Sequence, residues 1–164
     1  MNKRIRELTK MAMIAALYAV LTVVTSSISY AGVQFRVSEL LILLCFYNKK
    51  YIPALTIGCL IANMFSPFGI YDVVFGTFAT FISALCVSKV KNIWIASLFP
   101  SLFNGIIIAL EIIYVDGLVL NLGSFTPLFL SIAFGEFVCV TILGVLVFKS
   151  IEKQEFFEEN IKNI

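Results

Sequence analysis

The sequence predicts an all-α membrane protein, a compact bundle of six transmembrane helices with both termini in the cytoplasm. Three observations predict it. Hydrophobic residues make up 60% of the 164-residue chain, and its mean hydropathy is +1.01. Charged residues make up only 13%, where a soluble domain keeps roughly a quarter. They gather in knots, "NKRIRELTK", "NKK", "SKVKN" and "KSIEKQEFFEENIKN", with long apolar runs between them. Finally, the basic residues are one-sided. With six spans, Arg36 alone among the 12 lysines and arginines falls in an outer loop, a strong positive-inside bias.

The first span runs near 9–29. It is too long for the apolar region of a signal peptide, and no A-x-A site leads into a polar mature domain. Its cytoplasmic half, "KMAMIAALYAV", holds two overlapping small-xxx-small pairs, Ala12 with Ala16 and Ala15 with Ala19. Small residues allow another helix backbone to approach closely, either inside the bundle or on a partner subunit. The second and third spans, near 36–47 and 51–65, are short for a core about 30 Å thick. A re-entrant hairpin there would leave Lys49 and Lys50 near the bilayer centre, whereas six full spans bring them to the cytoplasmic face. The fourth, fifth and sixth spans fall near 71–88, 92–114 and 125–149. The outer loops "YAGVQFR", "SPFGIY" and "VDGLVLNLGSF" carry turn residues. Residues 1–150 thus form one six-helix membrane domain. Residues 151–164 form an acidic cytoplasmic tail, an amphipathic helix whose charge run is solvated.

Several chemistries are excluded. The chain has no histidine, and its four cysteines, Cys45, Cys59, Cys86 and Cys139, are singletons within apolar runs. They read as small core residues, so neither a zinc site nor histidine catalysis is expected. No G-x-x-x-x-G-K-[ST] motif is present, so the chain hydrolyses no nucleotide itself. No cofactor, metal or nucleic-acid partner is implied.

Polar residues inside the spans carry the functional signal, because each must be satisfied away from bulk water. Glu39 lies one turn below the outer end of the second span, Asn63 near the outer end of the third, and Tyr71 and Asp72 open the fourth. Asn104 and Glu111, seven apart, share one face of the fifth with Ser101 and Ile108. Glu136 lies near mid-depth in the sixth. All fall in the outer half of the membrane or near its middle, which suggests a binding chamber open to the outside. Bland readings stand beside this one. Arg36 and Glu39 would form a helix-end pair, Asp72 an N-cap, and Asn63 and Asn104 interhelical hydrogen bonds. Glu111 and Glu136 are harder to explain that way, since no basic residue is expected at their depth. They call for a cationic or donor-rich partner, and a ligand fits that need.

These features resemble the S component of an energy-coupling factor (ECF) transporter. The stretches "GVQFRVSELLILLCFY", "IPALTIGCLIANMFSPFGIYDVVFGTFAT", "LEIIYVDGL" and "FGEFVCVTILGVLVF" resemble the QueT family in particular, over most of residues 8–150. The resemblance implies a six-helix bundle with its substrate pocket toward the outside, and no enzymatic activity. It implies uptake of queuosine precursors, which are 7-deazaguanine bases. It also implies that Ala12, Ala15, Ala16 and Ala19 dock a membrane T component coupled to two ATPases. The chemistry agrees: a carboxylate accepts both the ring N–H and the exocyclic amine of a guanine-like edge. Arg36, Glu39, Asn63, Tyr71, Asp72, Asn104, Glu111 and Glu136 are the expected substrate-binding residues. Alternatives are an S component for thiamine or riboflavin, an intramembrane enzyme using Glu111 and Glu136 as acid and base, and a structural membrane protein.

Overall fold

The computed structural model describes residues 3–29 and 34–162, and the chain within them is helical. Six main helices follow one another: α1 (Lys3–Val24), α2 (Val37–Tyr47), α3 (Tyr51–Asn63), α4 (Asp72–Val87), α5 (Ile93–Val115) and α6 (Leu122–Ile151). Their positions agree closely with the six apolar runs read from the sequence. Three, α1, α5 and α6, are long and apolar enough to cross a membrane. The 13 residues of α3 reach only roughly 20 Å at 1.5 Å per residue.

Sequence explains the local starts and stops. Asn92 caps α5 by accepting from the Trp94 amide at 2.9 Å. Asn121 opens α6 with a capping box, its side chain accepting from the Ser124 amide at 2.9 Å. Gly117, with φ +64°, follows α5 in the left-handed region that favours glycine.

Helix packing follows small residues. In α1, Ala15, Tyr18, Ala19 and Thr22 repeat at helical spacing and are buried. They face α3, where Gly58 lets the backbones approach. A Cβ on Gly58 would stand 2.7 Å from the Ala15 carbonyl oxygen. The alanine stripe is therefore split: Ala15 and Ala19 point inward, while Ala12 and Ala16 are exposed on the outer surface of α1. From α3 the packing passes to α4, then α5, then α6. The short α2 lies among α1, α4 and α6, and buries Ser38, Glu39 and every residue from Leu41 to Cys45. Buried on nearly all sides, it is a core helix that carries Ser38 and Glu39 inward.

The lysine-rich turns gather at one end. Lys50 pairs with Glu7 at 3.4 Å, and Lys10 donates to the Asn160 side chain at 3.0 Å. The tail folds back over this end. Phe157 is buried against Tyr47 and Phe148, with ring centroids 5.0 and 6.1 Å away, while Glu155, Glu158 and Glu159 stay exposed. The four cysteines are free thiols, and all but Cys86 are buried. The apolar core is built around Tyr18, α2, Leu55, Val87, Val140 and Phe148. The buried charged side chains, Arg36, Glu39, Asp72, Glu111 and Glu136, lie away from the lysine-rich end.

Candidate functional site

The cluster is assembled from all six helices and from the extended stretch that leads into α2. Gln34 and Arg36 in that stretch are buried, and Gln34 lays its main-chain carbonyl against Gly135 of α6. A side chain at 135 would collide with that carbonyl, so glycine permits the stretch to enter the bundle. Arg36, 1% exposed, then reaches Asp72 at the start of α4, with Nη2 3.6 Å from Oδ1. Gly76 makes room for Asn63, whose Nδ2 would lie 2.8 Å from a Cβ there, and Arg36 Nη1 stands in ordinary contact at 3.6 Å.

Asp72 is held on every side. Its carboxylate accepts from the Ser66 hydroxyl. Its main-chain carbonyl accepts from Asn63 Nδ2 at 2.9 Å. Its carboxyl also faces that of Glu111 on α5. A second group lies around α2. Glu39 Oε1 accepts from the Tyr18 hydroxyl and from Thr80 Oγ1, the latter at 2.8 Å. Glu136 Oε1 accepts from Asn104 Nδ2 at 2.9 Å. Glu39 and Glu136 lie within electrostatic reach of each other, and Arg36 acts on both.

Glu39, Asp72, Glu111 and Glu136 are each no more than 2% exposed. Among the described residues, Glu39 Oε2, Glu136 Oε2, both Glu111 oxygens, Asn104 Oδ1 and Gln34 Oε1 accept no hydrogen bond from the chain. Each such buried acceptor costs about 1–3 kcal/mol, and folded proteins contain few. Their concentration in one place makes this cluster the candidate functional site.

Several expectations change. A cation does reach the depth of the buried glutamates: Arg36 is inside the bundle, not in an outer loop. The physical reason is the inward course of residues 34–36 past Gly135. Arg36 and Glu39 do not form a helix-end pair. Asp72 takes the closest ion-pair contact with the guanidinium, and Glu39 is held by Tyr18 and Thr80. Asp72 makes no capping hydrogen bond at the start of α4; its carboxylate serves the ion pair instead. Asn63 and Asn104 do make hydrogen bonds between elements. Ser101, Asn104, Ile108 and Glu111 are all buried, as one shared face requires. Tyr71 stands outside the cluster, 38% exposed, with its ring edge-on to Tyr114 at 5.9 Å. Next to it, Phe75, Phe78, Ile107, Leu110 and Tyr114 line a groove of about 380 Å³ that reaches Glu111.

Sequence reading missed Tyr18, Thr80 and Gln34. Tyr18 was detectable, since it shares the periodic buried face of α1 with Ala15 and Thr22. Thr80 and Gln34 gave no signal, because a threonine in an apolar helix and a glutamine in a loop are ordinary. Among the described residues no group of Cys, Asp and Glu is arranged to hold a metal ion.

Apolar helices of membrane-crossing length around a buried charged cluster define a multi-pass membrane protein. The comparisons with known proteins give this class its particular member. Residues 8–153 match the family described as QueT transporter. The chain is also 35% identical over 159 residues to the "Queuosine precursor transporter QueT" of Lactococcus lactis subsp. cremoris (strain MG1363), covering 90% of this chain and 93% of that protein. No solved structure matches. The chain belongs to the QueT transporter family and is a membrane transporter, not an enzyme.

Proposed function

We propose that the chain is the substrate-binding membrane subunit of an energy-coupling factor importer. In this reading six spans cross the membrane, with both termini and the lysine-rich end in the cytoplasm. The buried cluster opens toward the outside and receives a queuosine precursor, a 7-deazaguanine base. Arg36, Glu39, Asp72, Asn104, Glu111 and Glu136 contact it, while Asn63 positions Asp72. Tyr71 belongs to the outer rim. A T component and two ATPases supply the energy, and the outward Ala12 and Ala16 form the face of α1 on which the T component docks. Ala15 and Ala19 serve the contact with α3.

One observation carries the reading: among the described residues, Glu39 Oε2, Glu136 Oε2 and Asn104 Oδ1 are buried in the cluster that holds Arg36 and accept no hydrogen bond. A guanine-like edge offers a ring N–H and an exocyclic amine to a carboxylate, and a ring carbonyl to an arginine. The name of the Lactococcus relative and the absence of a nucleotide-binding motif support the same assignment.

The test is calorimetric titration of the purified chain in nanodiscs with 7-deazaguanine bases, and with thiamine and riboflavin beside them. Saturable binding of the bases alone is expected. Binding of a vitamin in their place would refute the substrate assignment.

A further inference from the structure

The acidic tail is held more specifically than a solvated charge run needs to be. After α6 the helix breaks over residues 152–154, where Gln154 is extended (φ −77°, ψ 136°). Residues 155–162 then turn back as a short helical segment over the lysine-rich end. Three side chains of the bundle reach three consecutive main-chain carbonyls of its last turn. Lys10 Nζ of α1 donates to that of Asn160 at 3.1 Å, and the Tyr51 hydroxyl of α3 to that of Ile161 at 3.4 Å. Asn48 Nδ2, between α2 and α3, donates to that of Lys162 at 3.0 Å. The last carbonyls of a helix have no partner within it and carry the negative end of its dipole, so these donors, one of them cationic, satisfy them. Phe157, 3% exposed, is the apolar anchor.

The seat is nevertheless incomplete. Grooves of about 360 and 280 Å³ flank the segment, and Ile14, Phe156 and Ile161 line both. A close-packed contact leaves few gaps of that size. Phe156 is 71% exposed. A segment held by one buried ring and a few hydrogen bonds, and joined to its helix through a break, belongs to the part of a fold that opens most readily.

Its place on α1 gives that opening a use. Lys10, Met13 and Ile14 line the smaller groove with Phe156, Asn160 and Ile161. Ala12 and Ala16 are exposed on the same turns. Each residue turns a helix by about 100°, so Met13 stands between the flank that meets the tail and the face of Ala12 and Ala16. A helix is about 10 Å across, so one packed on Ala12 and Ala16 also covers Met13 and meets Phe156. We propose that residues 155–162 are a strap that competes with the partner membrane subunit for the cytoplasmic half of α1. Closed, the strap ties α1 to α2, α3 and α6 through Lys10, Asn48, Tyr51 and Phe157. Open, it frees the flank around Met13 and the partner helix takes its place. This rests on the docking reading of Ala12 and Ala16 above and adds the element that regulates it.

The experiment measures capture of the full-length chain, in detergent, by an immobilised T component with its ATPases. Phe157→Ala removes the anchor, and Ile161→Asp sets a carboxylate between the two grooves. Each variant should be captured about 10-fold more tightly than the unmodified chain, the gain expected where about one molecule in ten has the strap open. Hydrogen exchange of the unmodified chain gives an independent readout. The amides of residues 155–162 should exchange at least about 10-fold faster in the complex than in the solitary chain, as an opened segment does. Equal or weaker capture of the folded variants, or tail amides that exchange no faster in the complex, overturns the strap and leaves the docking reading standing. No capture of any form overturns both. The exchange measurement needs no substitution, so it decides the question even if a variant fails to fold.

Discussion

Replacing Arg36 by methionine tests whether the guanidinium holds the cluster together. Methionine keeps the length and apolar stem of arginine and removes the charge. The magnitude follows from burial. Arg36 and Asp72 are each 1% exposed and their charged atoms stand 3.6 Å apart, so solvent screening does not discount the pair as it would at a surface. Breaking a buried pair by removing one partner costs about 3–5 kcal/mol, because the other charge remains buried and uncompensated. Here the loss also falls on Glu39, Glu111 and Glu136, which the same guanidinium attracts. For a chain of this size about 1 kcal/mol moves the unfolding midpoint by roughly 2–4 °C. Arg36→Met should therefore lower it by roughly 6–20 °C.

A second substitution separates charge from packing. Adding Asp72→Asn to Arg36→Met removes the stranded carboxylate. If charge imbalance is the cause, the double variant should be more stable than Arg36→Met alone, with a coupling of about 0.5–3 kcal/mol. The assay is thermal unfolding in one detergent, followed by intrinsic fluorescence, for the unmodified chain, both single variants and the double variant. An Arg36→Met midpoint within about 2 °C of the unmodified chain would refute the reasoning. So would a double variant that is no better than Arg36→Met.

Three further outcomes are expected. Glu111→Gln should weaken binding of the base by about one to two decades, the loss of one charge-assisted hydrogen bond, read by calorimetry. Unchanged affinity would remove Glu111 from the site. Gly135→Ala sets a Cβ against the Gln34 carbonyl, so residues 34–36 must shift and carry Arg36 with them. It should weaken both binding and stability, and an unaffected variant would contradict the close approach. Ala15→Leu should destabilise the bundle by about 1–3 kcal/mol through overpacking against Gly58, while Ala16→Leu should stay within about 0.5 kcal/mol. With the partner subunits present, Ala16→Leu should impair uptake and leave binding intact; normal uptake would free the outer face of α1 from a docking role.

The helices were legible because hydropathy and charge both follow the lipid. Apolar runs fall where the helices lie, and the lysine knots fall at their ends. The face shared by Asn104 and Glu111 was also legible, since a separation of seven on a helix needs only its period. Arg36 was not. A basic residue beside an extended segment ordinarily belongs to a loop, and only the long-range contact of Gln34 with Gly135 carries it inward. The bonds from Tyr18 and Thr80 to Glu39 were hidden for a similar reason, although the buried position of Tyr18 itself follows from the periodicity of α1. Each of the two residues sits on a helix distant in sequence from Glu39, and the hydrogen bonds they make depend on packing that no local pattern encodes.

Backbone irregularity links the two sides of the cluster. Glu39 lies in a 3-10 stretch, Asp72 opens a π-helical turn, and Glu136 immediately precedes another. In a regular α-helix successive side chains advance by a fixed angle, so a carboxylate can be aimed only by choosing its position. A tighter or wider turn changes that angle locally and lets a side chain face inward without moving the rest of the helix. Such turns occur often at functional sites, where regular hydrogen bonding is given up for geometry. Here they serve a second need. Arg36 must reach Asp72 across the bundle, and a glycine ends each of the two π-helical stretches beside the cluster, Gly76 and Gly144, where the neighbouring elements come close. Asn63 crowds Gly76, while Leu40 and Leu43 of α2 crowd Gly144. The irregular turns and the glycines therefore act together: the turn aims the carboxylate, and the missing side chain admits the group that faces it.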